Sequence, residues 1–195
     1  VTTFVLATHN AHKVAELRRI LGERLGPHEL IGYDGPAPIE DGDTFEENAL
    51  IKARAAYLET GLPALADDSG IAVDALDGAP GIDSAHYSGS RDDAANLRQL
   101  LANLVDAADR SARFVCVAAL VDGEGPEHEV VVRGEWPGTV LVAPAGEGGF
   151  GYDPIFRPDG EERSAAELSP AEKDADSHRT RAFVGLTEVL RRRFG

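Results

Sequence analysis

Thr3-Phe4-Val5-Leu6-Ala7-Thr8-His9-Asn10-Ala11-His12-Lys13-Val14-Ala15-Glu16-Leu17-Arg18-Arg19-Ile20-Leu21-Gly22 changes its apolar period midway. Thr3 to Ala7 is a short continuous apolar run of the kind that lies buried in a sheet. Ala11 to Leu21 places Val14, Leu17, Ile20 and Leu21 on one side of a helix that Gly22 stops. The chain therefore begins with a strand, a polar loop and an amphipathic helix.

Outward from this unit the same alternation continues. A strand is expected near Glu29 to Tyr33. A helix follows from Thr44 to about Glu59, started by the capping box Thr44-x-x-Glu47 and ended by Gly61. Pro63 to Ala66 and Ile71 to Ala75 read as two short strands, and Asp92 to Leu104 as a helix with Leu97, Leu100, Leu101 and Leu104 inward. Ala112 to Val121 and Glu129 to Arg133 read as paired strands around Asp122-Gly123-Glu124-Gly125, with Val140 to Val142 as an extension of the sheet. Ser169-Pro170-Ala171-Glu172 is a second capping box, and Phe183, Leu186, Val189, Leu190 and Phe194 are the stripe of a terminal helix. Strands and helices mixed on one core predict an α/β layered fold. With 195 residues and no linker-like stretch, one domain over 1–195 is the expectation.

The formal charge of −15 opposes approach to a nucleic-acid polymer or an anionic membrane, because long-range repulsion acts on every encounter. A small anion is compatible with that field where a metal or a local set of cations offsets it. The N-terminal apolar run is too short for a signal peptide and no stretch reaches membrane-spanning length, so a cytoplasmic protein is expected. The single Cys116 lies in the apolar run Phe114 to Val121 and reads as an inert core thiol.

The basic residues are unevenly chosen. Three lysines stand against sixteen arginines, and Lys13, Lys52 and Lys173 each sit in a polar segment. A compact ammonium suits a phosphate oxygen as a point charge. The loop Thr8-His9-Asn10-Ala11-His12-Lys13 joins strand to helix and can present backbone N–H groups to an anion. Lys13 in a first helical turn opposes the helix dipole by ~0.3–1 kcal/mol, which a nearby anion would offset. The other reading is a solvated lysine with Asn10 as cap. On the second helix Thr44, Asn48 and Lys52 recur at i, i+4 and i+8, either lining a cleft or forming a solvated polar face.

Ala66-Asp67-Asp68-Ser69-Gly70 puts two adjacent carboxylates at the end of a short apolar strand, where α/β sheets place their ligands. At ~5 Å and an effective dielectric of ~20 their repulsion is roughly 3 kcal/mol, about two pKa units, unless a cation relieves it. Mg2+ is the natural relief, taking one or two carboxylates and filling its shell with water and phosphate oxygens. The acidic loop Glu40-Asp41-Gly42-Asp43 can add a ligand. The alternative for the paired aspartates is turn formation. Gly146 to Gly151 matches G-x-G-x-x-G, but Pro154 just beyond argues against the helix that a dinucleotide fingerprint must open. The segment offers Phe150 and Tyr152 instead, either to stack a planar base, worth ~1–3 kcal/mol, or to plug the edge of the core. Lys173, His178 and Arg179 gather near the last helix, while Arg191 to Arg193 suit the dipole at its end.

Taken in order, T-x-N-x-x-K at 8 to 13, T-F-x-E-N-A from Thr44, A-D-D-S-G from Ala66, G-A-P-G from Gly78, Glu135-Trp136-Pro137-Gly138, G-G-F-G-Y-D-P from Gly148 and Ser177-His178-Arg179 resemble the inosine triphosphate pyrophosphatase family. The resemblance covers nearly the whole chain. It implies an elongated mixed β-sheet flanked by helices, two lobes around a nucleotide cleft, and a homodimer. The implied reaction is Mg2+-dependent hydrolysis of ITP, dITP and XTP to monophosphate and pyrophosphate, clearing deaminated purine nucleoside triphosphates from the precursor pool.

Carried over by residue, the resemblance assigns Thr8, His9, Asn10, Ala11, His12, Lys13 and Lys52 to the phosphates. Glu40 and Asp68 go to Mg2+, and Asp68, beside Asp67, to activating water. Ser69 goes to the nucleotide, and Phe150, Gly151, Tyr152, Asp153, Lys173, His178 and Arg179 to the base. His9 departs from a glycine common in relatives, and Asp41 and Asp43 compete with Glu40 as ligands. Three rivals remain open. A Maf-type nucleotide pyrophosphatase would lack the late His178-Arg179 pair, and an aspartyl phosphatase needs a D-x-D that Asp67-Asp68 breaks. A non-catalytic nucleotide sensor would have no use for Glu40, Asp67, Asp68 and all three lysines together.

Overall fold

The computed structural model describes all residues, Val1 to Gly195. Six strands form one mixed sheet in the order β2-β1-β3-β4-β5-β6: β1 (Thr3–Leu6), β2 (Glu29–Gly32), β3 (Ala64–Val73), β4 (Ser111–Val121), β5 (Glu129–Val140) and β6 (Phe156–Pro158). Five helices accompany them: α1 (Ala11–Leu21), α2 (Phe45–Thr60), α3 (Asp93–Asn103), α4 (Pro170–Asp176) and α5 (His178–Phe194). The α/β mixed-sheet expectation holds. No helix is long and apolar enough to cross a membrane.

The chain divides into two compact units, and the divisions fall inside β3, β4 and β5 and after the first residue of α5. The first comprises Val1–Asp68, Cys116–Gly134 and Arg179–Gly195; the second comprises Ser69–Val115 and Glu135–His178. In the first, β1 pairs in parallel with β2 and with β3, Val5 opposite Ala64. Phe4, Leu6, Leu65, Cys116 and Leu120 from the strands bury themselves against Leu17, Ile20 and Leu21 of α1 and Phe183, Leu186 and Leu190 of α5. The apolar stripes read from the sequence are thus the core faces of both helices. Cys116 is a buried free thiol, as its apolar run predicts, and burial pushes it further toward the protonated form. In the second unit Ile71, Val73, Leu97, Leu100, Phe114, Trp136, Tyr152, Ile155 and Phe156 form a separate core, and β5 pairs antiparallel with β6.

Local signals act where they were read. Asn10 caps α1 by accepting from His12 N and Lys13 N; Thr44 caps α2 by accepting from Glu47 N, but the expected box is only half formed, since Glu47 Oε2 accepts from Asp43 N; Gly61 ends α2 at φ 67. Four segments differ from expectation. Pro63 to Ala66 and Ile71 to Ala75 are not two strands but parts of the continuous β3, through Asp67, Asp68, Ser69 and Gly70. Burying those carboxylates in mid-strand requires cations beside them. Glu129 to Arg133 likewise runs on unbroken to Val140, carrying the Trp136-Pro137-Gly138 run with Trp136 buried and Pro137 exposed. The last helical region is two helices, because α4 ends at Ser177 before α5 begins. The short β6 was missed altogether, three residues giving no period to read.

Gly70 is a packing glycine. A Cβ there would stand 2.3 Å from the Gly81 carbonyl oxygen and 2.4 Å from Ser84 Oγ. That hydroxyl already accepts from Ile71 N at 3.0 Å and donates to the Gly81 carbonyl at 2.6 Å. Gly70→Ala is expected to destabilise the protein by about 1–3 kcal/mol, read as a lower urea midpoint. Gly32→Ala, whose Cβ meets nothing within 4 Å, should leave the midpoint unchanged.

Candidate active site

The first unit gathers most of the charged residues singled out from the sequence. Lys13, in the first turn of α1, donates from Nζ to Asp67 Oδ2 at 2.9 Å. The anion that offsets its unfavourable place on the helix dipole is therefore a side chain of the neighbouring strand. Both earlier readings of this loop are partly right, since Asn10 is a cap and Lys13 is no solvated lysine. The rest of the loop is built around itself: Asn10 N donates to Thr8 Oγ1 at 3.2 Å, and His9 Nε2 meets the Gly35 carbonyl at 2.9 Å. His9, Asn10, Ala11 and His12 are exposed.

Lys52 is the hinge of a second group. Its Nζ donates to Glu40 Oε2 at 2.6 Å and to Asp68 Oδ1 at 2.9 Å. The α2 stripe is accordingly no solvated face. Thr44 caps the helix, Asn48 is buried and accepts from Gly42 N at 2.9 Å, and Lys52 faces the carboxylates. The Asn48 bond fixes the turn of the acidic loop that delivers Glu40. Asp43 in that loop uses its backbone N–H to bond Glu47 Oε2 at 2.7 Å.

The adjacent aspartates are electrostatically unlike, because successive side chains of a strand face opposite ways. Asp67 is fully buried; burial alone would raise its pKa, but Lys13, Arg179 and Lys52 hold its carboxyl well below the usual carboxylate range. Asp68 is shifted the other way. Its burial raises the pKa and outweighs the opposing pull of Lys52 and Lys13. Lys52 is itself held as an ammonium, since Asp68, Asp67 and Glu40 together outweigh the effect of its burial. One aspartate is thus locked as an anion and the other is a stronger base than an ordinary aspartate.

Arg179 belongs to the first of these. It is buried, donates from Nη1 to Glu16 Oε2 at 2.7 Å and lies 3.5 Å from Asp67 Oδ2. Sequence reasoning grouped Arg179 with Lys173 and His178 and overlooked Glu16. The signal was available: Glu16 lies beside Leu17 and four residues before Ile20 on the buried side of α1, where an acid requires a partner. Arg191 to Arg193 fall in the last turn of α5, with Arg191 paired to Glu188 and Arg193 to Asp122.

The second unit holds the remaining candidates. Lys173 on α4 is buried and donates to Asp153 Oδ2 at 2.6 Å, and its ammonium sits 4.9 Å from the Phe150 ring centroid. The same Asp153 oxygen accepts from Phe150 N at 2.9 Å, so one carboxylate sets both the cation and the aromatic. Gly149 is required there, because a Cβ would stand 2.1 Å from Asp153 Oδ2 and its φ is +69. Tyr152 is buried and its hydroxyl donates to the Ser84 carbonyl at 2.7 Å. Of the two aromatics, Tyr152 plugs the core while Phe150 is half-buried. Gly151 N donates to Asp93 Oδ2 at 3.0 Å. His178 stacks on Phe114 at 4.8 Å, and Ser69 follows Asp68 along β3, half-buried.

No three histidine, cysteine or acidic side chains gather as a ready metal cage. The donor set nevertheless fits a hard cation. Glu40 and Asp68 converge on a single positive centre, the Lys52 ammonium, and two carboxylates are the number that Mg2+ takes while keeping water and phosphate oxygens.

The chain belongs to the Ham1 family, whose pattern it matches over residues 4–189. The resemblance read from the motifs is borne out, and with it the assignment to an enzyme of the nucleoside triphosphate pyrophosphatase class. Among its relatives is the dITP/XTP pyrophosphatase of Leifsonia xyli subsp. xyli, 55% identical, with 96% of this chain and 94% of that protein covered. A HAM1 protein from Coxiella burnetii has a similar solved structure, with a TM-score of 0.90, 43% identity and coverage of 98% of this chain and 100% of that one. Another is the nucleoside-triphosphatase, or dITP/XTP pyrophosphatase, of Mycobacterium abscessus, with a TM-score of 0.75, 50% identity and coverage of 95% and 98%.

Asp67→Asn is expected to cost about 3–5 kcal/mol, since it strands buried cations without their anion, and equilibrium urea unfolding reads it directly. Because the folded pKa is depressed, the stability that Asp67 contributes is present above its unfolded value near ~4 and is lost as pH falls through the folded one. The difference between wild type and variant should therefore shrink toward acid pH.

Proposed function

We propose that this chain hydrolyses dITP, ITP and XTP to the monophosphate and pyrophosphate with Mg2+, acting as a cytoplasmic homodimer that removes deaminated nucleotides from the precursor pool. The observation that carries the reading is the Lys52 ammonium held between Glu40 and Asp68, on a chain similar over its whole length to dITP/XTP pyrophosphatases. A phosphatase or a passive nucleotide sensor needs no such arrangement of base and cation.

Glu40 and Asp68 would hold Mg2+, whose contribution when bound is to withdraw charge from the phosphate oxygens. Lys52, released from its carboxylates, and Lys13 at the start of α1 bind the phosphate oxygens as point charges. Asp68, with its raised pKa, takes a proton from the attacking water. The water oxygen forms its bond to the α-phosphorus, the bond from that phosphorus to the bridging oxygen breaks, and pyrophosphate carries off the electron pair. Asp67 does not compete for the proton, because Lys13 and Arg179 keep it ionised. Its work is to hold Lys13 in position.

In the second unit Phe150 supplies a face for a purine, and Lys173, anchored by Asp153, supplies a donor. His178 adds a second polar edge. Hypoxanthine and xanthine present a keto oxygen at position 6 where adenine has an amine, so a buried donor is satisfied by the first two and left unpaired by adenine.

Pyrophosphate and orthophosphate release from ITP, dITP, XTP, GTP and ATP, with Mg2+ and with chelator, tests the reading. Metal-dependent pyrophosphate release largely confined to the first three is expected; orthophosphate release, or no turnover, would refute it. Asp68→Asn should lower kcat roughly 10²–10⁴-fold, the range for removing a general base. In the metal-free protein Asp68 should titrate above an ordinary aspartate, and bound Mg2+ should draw that titration to lower pH, so the acid limb of the activity profile should move down as Mg2+ is raised.

A further inference from the structure

His178 is the first residue of α5, a position where a side chain is ordinarily free to meet solvent, yet it is 4% exposed. Its imidazole lies nearly parallel to the Phe114 ring, 4.8 Å away at 17°, and nearly parallel to Trp136, 6.4 Å away at 17°. Phe156 is wedged against both partners, 4.4 Å from Phe114 at 60° and 5.7 Å from Trp136 at 55°. Phe114 of β4 and Trp136 of β5 thus form an aromatic bracket on one polar ring, backed by Phe156 of β6. Gly138 makes room for the bracket, because a Cβ there would stand 2.7 Å from the Phe156 ring.

A simple core contact would not need this geometry. An apolar side chain would fill the slot without the cost of burying ring nitrogens. Stacking against near-parallel planes holds the imidazole against tilting, so each ring nitrogen keeps a fixed direction. Offset-stacked pairs of this kind are favourable beyond the area they bury.

From this geometry we infer that Phe114 and Trp136 are positioning residues for base recognition, setting the plane in which His178 meets the purine edge. The inference rests on the proposed role of His178 toward the base. Neither aromatic is assigned to the substrate. Their effect passes through the imidazole, and it falls on substrate selection rather than on hydrolysis.

The test combines steady-state kinetics with a signal that needs no turnover. In the free wild-type protein, ring currents of the stacked planes should move the His178 ring protons upfield in proton–carbon correlation spectra. Phe114→Leu should return them toward ordinary positions. In kinetics, Phe114→Leu should raise KM for ITP about tenfold, the loss of roughly one well-placed hydrogen bond. It should leave kcat nearly unchanged and narrow the preference for ITP over ATP, whose 6-amine cannot accept from a positioned donor. Trp136→Phe, which keeps an aromatic plane, should retain most of that preference, and Leu100→Val in α3 controls for a core defect. The double variant Phe114→Leu/His178→Ala should be no worse than His178→Ala alone, since both act through one group.

Additive losses in the double variant, a fall in kcat with unchanged KM, or the same kinetic change in Leu100→Val would overturn the positioning role. Unshifted His178 protons in wild type would do so independently. Failure of wild type to release pyrophosphate from ITP would instead strike the proposed function, leaving the ring-current result to decide the bracket.

Discussion

The buried charge at the centre of the first unit depends on the pairing of Asp67 with Lys13 and Arg179. Two consecutive aspartates in the middle of a ten-residue buried strand would separate that strand from its neighbours if they met only apolar groups. Asp67 is tolerated because cations from two different helices reach it: Lys13 from the start of α1 and Arg179 from the start of α5. Glu16 completes the set by balancing Arg179, so two acids and two bases form a neutral buried group. Breaking any one leaves an uncompensated charge, which is why such a cluster constrains more of the fold than an apolar contact of equal size.

That constraint also separates the chemistry of neighbours. Asp67 and Asp68 have the same side chain and adjacent backbone, yet one is held well below its ordinary pKa and the other is raised above it. The division follows from which cations each can reach. Asp67 has Lys13 and Arg179 close by, whereas Asp68 shares its one bonded ammonium, Lys52, with Glu40. A carboxylate with a shared partner and partial access to solvent is the one that can change protonation state without disturbing the strand.

Much of this was legible in the sequence, and the parts that were not have a common cause. Helix starts and stops are local, so Asn10, Thr44, Gly61 and Ser169 could be read one turn at a time. Apolar stripes are local too, and they named the buried faces of α1 and α5. The continuity of β3 is not local: Asp67-Asp68-Ser69-Gly70 resembles a turn until Lys13, fifty-four positions earlier in the chain, is placed beside it. Arg179 shows the same limit. Adjacency to His178 suggested a shared task, but its partners are Glu16 and Asp67, at sequence separations no local pattern reports. Glu16 itself was hidden because an acid on a helix is solvated by default, and only its place among buried leucines argued otherwise.

The second unit reaches order by a different route, and the contrast explains how the two sets of residues can serve different ends. There the polar and aromatic groups proposed to meet the base are each held by a neighbouring side chain or carbonyl. Asp153 orients both Lys173 and Phe150, Ser84 takes the Tyr152 hydroxyl, and the aromatic bracket holds His178. Directional bonds and ring planes select among flat ligands by shape and by donor position, because an unmatched donor in a dry site is costly. A cluster of full charges, as in the first unit, instead binds any compact polyanion strongly and discriminates little among bases. Under the proposed function, selectivity would come from the residues that carry hydrogen bonds and planes, and reactivity from those that carry charge.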